Sequence, residues 1–596
     1  MIHSSFSPSV WHSVIRQGAF AVVGVLSAGF AVAQVNLAQS PLFVTKGVTP
    51  SIMIALDDSG SMDAEILMKS NDGAAWWNTT SDSFVGRGRS DLPEAGVVNY
   101  NEVGNADGTW KKYIYLFPNG DSGGNKGGRR AYGDSTNDHF AVPALPQFAY
   151  VRSPVYNFSY FNPAIQYAPW PSLGGYTFAN ADPVAARTDP VFPTTGTAPT
   201  LNLTANVENT AAHNVFRLFN GMIIPAGIRN APRTGSTWTI TGYTATDASD
   251  NNNFRAISYF PAQFFLSSGT VIGACYGYNP SNISTVGRAP DGTTPLDGYE
   301  IRLANFQAAC DRTAEENYTA AIQNFANWFT YYRKRNAAAR NALGVAFETI
   351  TDFRVGLYRI NNRPSSTSLL TMRNLLVPAD RNAFFALAYT SIDAGGTPNR
   401  EAVDAMRSQL QRTDTNAPIQ LQCQKNFGVL ITDGFANPSA IGGNRDGTMG
   451  VPFADAHGGT LADIAAGLYL DNPRSTLPTG KVPIPPGCSV AGASLRLDCN
   501  PNLHLNLFAI SLGAPGNIFN VNMAATSDPF TNPPAWPNPT LTRNPQQIDD
   551  LWHATLNSRG EFLSVDVPSE LGDSFKTILD SIRARVETSG GSAAAS

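Results

Sequence analysis

Ile52-Met53-Ile54-Ala55-Leu56 is an unbroken apolar run that stops at Asp57-Asp58. A run this short, closed by turn residues, reads as a strand buried on both faces, and such a strand needs a covering layer on each side. Four more candidates follow far downstream, at 353–360, 426–432, 505–512 and 561–565. Helical patterns lie between them. The clearest spans 315–343, where Tyr318, Ile322, Phe325, Phe329 and Tyr332 recur at helical spacing. A second follows Thr397-Pro398, with Ala402, Val403, Met406 and Leu410 on one face, and two more occupy 461–470 and 569–585. Strands alternating with helices predict an α/β fold, a doubly wound parallel sheet covered on both sides.

The alternation breaks between 63 and 314. That stretch is rich in Gly, Asn, Pro and aromatic residues, with only short β-like pieces such as 237–240 and 256–266. A structureless loop of such length is improbable inside a domain, so it reads as a large β-rich insertion with its own small core. The expected sheet domain is therefore split into 51–62 and 315–585 by the insertion at 63–314. A smaller insertion, 436–500, carries Gly and Pro clusters. Residues 34–50 form an N-terminal linker, and 586–596 a flexible tail.

At 42% hydrophobic the 596-residue chain can pack a core, but only 15% is charged, against roughly 25% in soluble domains generally. Its surface must lean on Ser, Thr, Asn, Gly and Pro, as in many loop-rich exported proteins. The net charge of −5 and the absence of a long basic run argue against nucleic acid as a partner. Arg16, the apolar stretch 18–30 and Ala31-Val32-Ala33 fit a secretory signal peptide, 1–33, cleaved before Gln34. The alternative is a membrane anchor, but 18–30 is short for a span of about 20 residues. No other segment could cross a bilayer, so the cleaved chain is expected to be exported and not membrane-spanning. Of the five cysteines, Cys275 with Cys310 and Cys488 with Cys499 are the locally plausible disulfides in an oxidising compartment. Sequence does not fix the pairing, and one thiol must stay free or pair elsewhere.

Asp57-Asp58-Ser59-Gly60-Ser61 stands directly after the first strand. Loops at the carboxyl ends of strands form the ligand crevice of an open α/β sheet. An Asp and two Ser at alternate positions can turn three oxygens toward one point, as a hard cation such as Mg²⁺ requires. Alone, the pattern is equally a polar strand-to-loop turn. Thr397 before Pro398 is equally a helix N-cap, and Asp433-Gly434 an ordinary turn. The three together, in chain order and each at a strand end or loop, favour a metal site.

Asp57-x-Ser59-x-Ser61, Thr397 and Asp433 resemble the metal-ion-dependent adhesion site of von Willebrand factor type A domains. That resemblance implies hydroxyl ligands from Ser59, Ser61 and Thr397, direct or water-mediated ligation by Asp57 and Asp433, and a bound Mg²⁺, Mn²⁺ or Ca²⁺. A narrower resemblance is to the PilY/PilC-type adhesins associated with the type IV pilus tip. It is carried by 40–44, by Tyr160-Phe161-Asn162-Pro163 through Trp170, by Asn324-Phe325-Ala326-Asn327-Trp328 with Tyr331-Tyr332-Arg333, by Leu461-Ala462-Asp463-Ile464-Ala465, and by Asp549-Asp550-Leu551-Trp552-His553-Ala554. It implies a cell-surface protein of pilus biogenesis, adhesion and twitching motility. Its expected partners are minor pilins, other pilus-tip proteins, or a receptor offering an acidic group. The alternative is a structural or mechanosensory pilus component whose insertion recognises the partner. That family continues into a large C-terminal β-propeller with a calcium loop linked to pilus retraction. This sequence stops after the last helix of the type A region, which leaves retraction control and propeller-dependent steps outside the expectation.

No His-Glu-x-x-His or phosphate-loop pattern is present, and no positioned base accompanies the hydroxyl cluster, so no enzymatic activity is expected. His553 and His504 read as packing residues. Asn444-Arg445-Asp446-Gly447 fails the EF-hand spacing, leaving Asp446 and Asp455 as candidates for calcium in another geometry. Trp76, Trp77, Tyr160, Phe161, Tyr167 and Trp170 fit either a sugar-binding platform or the insertion's core, and burial of such large rings favours the core. Arg333, Lys334 and Arg335 are expected to face solvent.

Overall fold

The computed structural model describes residues 48–68, 73, 75–78, 110–117, 139–192, 199–207, 215–217, 223–226, 237–239, 254–391, 395–436, 439–513, 515–519, 528–539 and 545–590. The leader 1–33, the run 40–44 and the tail from 591 lie outside them.

The central sheet is built from β1 (Ser51–Leu56), β2 (Arg354–Arg359), β3 (Arg373–Asn374), β4 (Asn426–Thr432), β5 (Asn506–Leu512) and β6 (Phe562–Val565). Its order is β3-β2-β1-β4-β5-β6, parallel except for the antiparallel edge strand β3. The fold is thus mixed α/β, and the chain order reverses between β1 and β4. Strand β3 escaped the sequence reading because two residues carry no period.

Side chains alternate across each strand, so each face has its own core. Ile52, Ile54 and Leu56 join one apolar cluster with Val429, Ile431, Phe508 and Ile510. Helices α2 (Arg335–Phe347), α3 (Pro378–Tyr389) and α7 (Leu571–Gly590) contribute to it through residues such as Leu343, Phe384 and Phe575. Met53 and Ala55 point the other way. They meet α4 (Asn399–Leu410), α5 (Leu461–Leu470) and α6 (Gln546–Asn557) through Met406, Ile464 and Leu551. The stretch 436–500 therefore includes one of the sheet's covering helices. Gly428 lets α4 lie close: a Cβ there would stand 2.8 Å from Met406 Sδ.

The helical pattern at 315–343 is two helices. α1 (Ala314–Tyr331) opens with a Thr313/Glu316 capping box and ends before Arg333, and α2 starts at Arg335. The break turns three consecutive cations inward, which corrects the expectation that they face solvent. Arg333 Nε donates to Glu65 Oε1 at 2.7 Å, Lys334 pairs with Asp63, and Arg335 Nη1 donates to Asp433 Oδ2 at 2.8 Å. All six side chains are buried. Desolvated cations of this kind persist only with matched acids, and the acids lie far away in sequence.

The described part of the insertion shares the core of the sheet's first face and does not close over one of its own. Tyr160, Phe161, Tyr167 and Trp170 are buried against α1, with Phe161 4.9 Å from Phe325 and Tyr160 4.8 Å from Trp328 between ring centroids. The α1 amides clamp the same segment. Asn324 Oδ1 accepts from Tyr167 N at 2.7 Å, and Asn327 Nδ2 donates to Tyr167 O at 2.9 Å. Trp170 Nε1 donates to Tyr331 O at 2.8 Å. Two of the strings that carry the pilus-protein resemblance are thus partners across one interface, and the rings form core, not a platform. The side chains of Trp76 and Trp77 lie outside the description. Both local disulfides form, Cys275–Cys310 and Cys488–Cys499, and Cys423 is a half-buried free thiol.

Candidate metal centre

The Asp57, Thr397 and Asp433 segments converge at the carboxyl ends of β1 and β4, where the order of the sheet reverses. That is the crevice in which open α/β sheets bind ligands. In-register pairing sets Leu56 beside Ile431, and Asp57 N donates to Ile431 O at 2.8 Å. The Asp57 carboxylate is held from two sides: Oδ1 accepts from Ser59 N at 2.8 Å, and Oδ2 from Thr432 Oγ1 at 2.6 Å. Ser59 Oγ and Ser61 Oγ stand 3.1 Å apart, so the two hydroxyls face each other.

The third segment is tied to both. Gly60 N donates to Gly395 O at 3.1 Å, and Asn399 Nδ2 donates to Thr432 Oγ1 at 3.3 Å. Gly395 takes a φ of +110°, and Asn361 Nδ2 bridges Asp58 Oδ1 at 2.9 Å to Gly396 O at 2.7 Å. Helix α4 starts at Asn399 with Pro398 in the cap position. Thr397 therefore caps nothing. Its side chain is fully buried, and Oγ1 has no hydrogen-bond partner among the described residues. A buried hydroxyl without a partner is costly, and a cation would satisfy it.

Burial, and then the neighbouring Asp433, push the Asp57 carboxyl up to about 7. Two carboxylates in one buried site repel, and a cation relieves them. Arg335 supplies part of that relief through its ion pair with Asp433. Sequence reading missed Arg335, because three consecutive basic residues look like a solvated face. Asp57, Ser59, Thr397 and Asp433 are all buried, whereas Gly60 and Ser61 are half-buried and Gly395 and Gly396 exposed, so the cluster opens to solvent along that rim. The donor set, carboxylates and neutral hydroxyls, is of the kind a hard divalent ion takes.

The Asp549-Asp550-Leu551-Trp552-His553 string serves α5 and its surroundings. Asp550 accepts from Leu461 N at 3.0 Å and Ala462 N at 2.9 Å, placing a carboxylate at the α5 N-terminus. Asp549 accepts from Asn517 N at 2.7 Å and Phe519 N at 2.9 Å. His553 is buried under Trp536, stacked at 3.9 Å between centroids, as a packing residue would be. It also touches Asp446 and Asp455. His504 is buried before β5, with Nε2 2.9 Å from Asp498 Oδ2.

The fold and site together define an α/β protein with an oxygen-rich cluster at the switch point of its sheet. The relatives of the sequence are more specific. Type IV pilus biogenesis factor PilY1 of Pseudomonas aeruginosa strain PAK is 28% identical over 315 residues, covering 46% of this chain and 27% of that protein. PilY1 of strain PAO1 is 27% identical over 325 residues, covering 46% and 28%. Over slightly under half its length the chain is therefore similar to PilY1, and the match spans little more than a quarter of these curated relatives. No protein-family model matches. Among solved structures, an aerotolerance-related membrane protein from Bacteroides fragilis aligns with 42% of this chain and 89% of that one, at 13% identity and a TM-score of 0.20. Among the described residues, no helix is long and apolar enough to cross a membrane.

Proposed function

We propose that this chain is a non-enzymatic, exported component of type IV pilus biogenesis whose α/β domain is of the von Willebrand factor A type and binds partners through a metal-ion-dependent adhesion site. Asp57, Ser59, Ser61, Thr397 and Asp433 would hold the ion. The observation that carries the reading is the unpartnered, fully buried Thr397 hydroxyl, on a segment tied on one side to Gly60 and on the other to Thr432, the residue that holds the Asp57 carboxylate. Similarity to PilY1 supports the pilus assignment. A bound Mg²⁺, Mn²⁺ or Ca²⁺ supplies electrostatic attraction for one acidic oxygen of a minor pilin, another tip protein or a surface receptor. Hydroxyl ligands cancel none of the ion's charge, and Arg335 offsets one of the two carboxylates. Both keep the site receptive to an incoming carboxylate.

The test is calorimetric titration of the purified chain with each ion, alongside Asp57→Ala. Saturable binding lost in the variant is expected; a wild-type chain that binds none of the three sinks the reading. A structural or mechanosensory role is favoured by one observation, that Arg335 and the backbone network already fasten the three segments. Under that role Thr397→Ala weakens ion binding but leaves capture of pilus-tip proteins intact.

A further inference from the structure

A second cluster lies elsewhere on the fold. Asp446, Asp455 and His553 each bring one potential ligand atom to within 4.8 Å of the others. His553 is buried, and its Nε2 lies 2.6 Å from Phe453 O. A carbonyl only accepts, so Nε2 carries the proton and the neutral ring presents a lone pair at Nδ1. Metal-ligating histidines are oriented in this way, with the other ring nitrogen donating to a carbonyl or carboxylate. The Nδ1 lone pair faces Asp455 Oδ2 at 3.5 Å. That is too long for a good hydrogen bond, and it sets two acceptors against each other. Two ligands about 2.1 Å from one ion, at octahedral to tetrahedral angles, stand about 3.0–3.4 Å apart. The observed gap is within a few tenths of an ångström of that spacing. Asp446 brings a carboxylate oxygen within 4.8 Å of the other two ligand atoms, and its Oδ2 lies 3.7 Å from the protonated Nε2.

An independent observation points the same way. The fully buried amide of Asn557 reaches into the cluster, donating from Nδ2 to Asp446 Oδ2 at 2.8 Å. Its Oδ1 has no hydrogen-bond partner among the described residues. Neither Asp446 nor Asp455 has a lysine or arginine partner among them. The result is a largely buried group of two carboxylates and an imidazole lone pair, bordered by the Asn557 amide.

We propose that Asp446, Asp455 and His553 form a site for a divalent transition-metal ion of the zinc or manganese class, one that pins the 441–459 loop onto α6. Imidazole with carboxylates suits such ions, whereas the hydroxyl-rich Asp57 cluster suits Mg²⁺. The site is independent of the Asp57 reading and stands if that reading fails.

The experiment is titration of the tag-free, chelator-stripped chain with Zn²⁺ and with Mn²⁺, under saturating Mg²⁺. One ion of at least one of the two metals is expected per wild-type chain and per Asp57→Ala chain. Asp455→Asn and His553→Gln are each expected to weaken binding about 100-fold or more while keeping the wild-type circular dichroism. Trp536 fluorescence should be quenched as Mn²⁺ binds, because its ring stacks on His553. Failure of the wild type to bind either ion overturns the proposal, as does unchanged binding in a folded Asp455→Asn or His553→Gln variant. Loss of the ion in Asp57→Ala alone would place it at the other cluster and equally overturn it.

Discussion

Arg335→Met isolates the role of the buried cation at the Asp57 cluster. Arg335 and Asp433 side chains are 1% and 3% exposed and meet at 2.8 Å. The substitution keeps most of the aliphatic bulk but strands the Asp433 carboxylate beside Asp57. It also removes the Nη2 donor from Ile66 O, at 2.7 Å. Removing one partner of a buried ion pair costs about 3–5 kcal/mol, because the remaining charge is left uncompensated. That deficit is expected in chelator, read from urea unfolding by tryptophan fluorescence. A divalent ion at one hundred times its Kd stabilises the wild type by about 2.7 kcal/mol. In the variant the freed Asp433 carboxylate holds the ion more tightly. A tenfold gain in affinity would narrow the deficit by about 1.4 kcal/mol in saturating Mg²⁺. A deficit that is the same in chelator and in Mg²⁺ would show that Asp433 does not share the ion's site. No deficit in chelator would refute the ion pair itself.

Other outcomes follow from single contacts. Trp328→Ala removes a ring packed on Tyr160 and Phe325 and the donor to Ser159 O, so a loss of about 3–5 kcal/mol is expected in the same unfolding assay. Gly428→Val forces α4 off the sheet and should cost about 1–3 kcal/mol, with Mg²⁺ affinity falling because Thr397 moves with α4; unchanged affinity would separate the helix from the site. Burial alone would raise the Asp498 carboxyl, but His504, Lys425 and Asn506 hold it well below the usual carboxylate range. Its contribution is thus present above the unfolded value of 3.8 and lost as pH falls through the depressed folded one. The stability advantage of wild type over Asp498→Asn should shrink below about pH 4, and one that grows on acidification would contradict the assignment.

Sequence alone determined the elements whose signal is local. The apolar runs became β1, β2, β4, β5 and β6 within a residue or two, because burial on two faces leaves a continuous apolar stretch between turn residues. Asp57, Thr397 and Asp433 were legible as strand-end or loop residues; parallel register carried Asp57 and Asp433 to one edge of the sheet, and the bond from Gly60 N to Gly395 O ties the Thr397 segment there. Tertiary structure decided what depends on partners far along the chain. Arg333, Lys334 and Arg335 look solvated until Glu65, Asp63 and Asp433, respectively 268, 271 and 98 residues away, enclose them. The aromatic stretch 160–170 could be platform or core until α1 covered it. Asp446, Asp455 and His553 share no sequence motif, since α6 reaches the 441–459 loop only once both pack on the same side of the sheet. Periodicity is written in neighbouring residues, whereas the cost of burying a charge is set by whatever the fold brings against it.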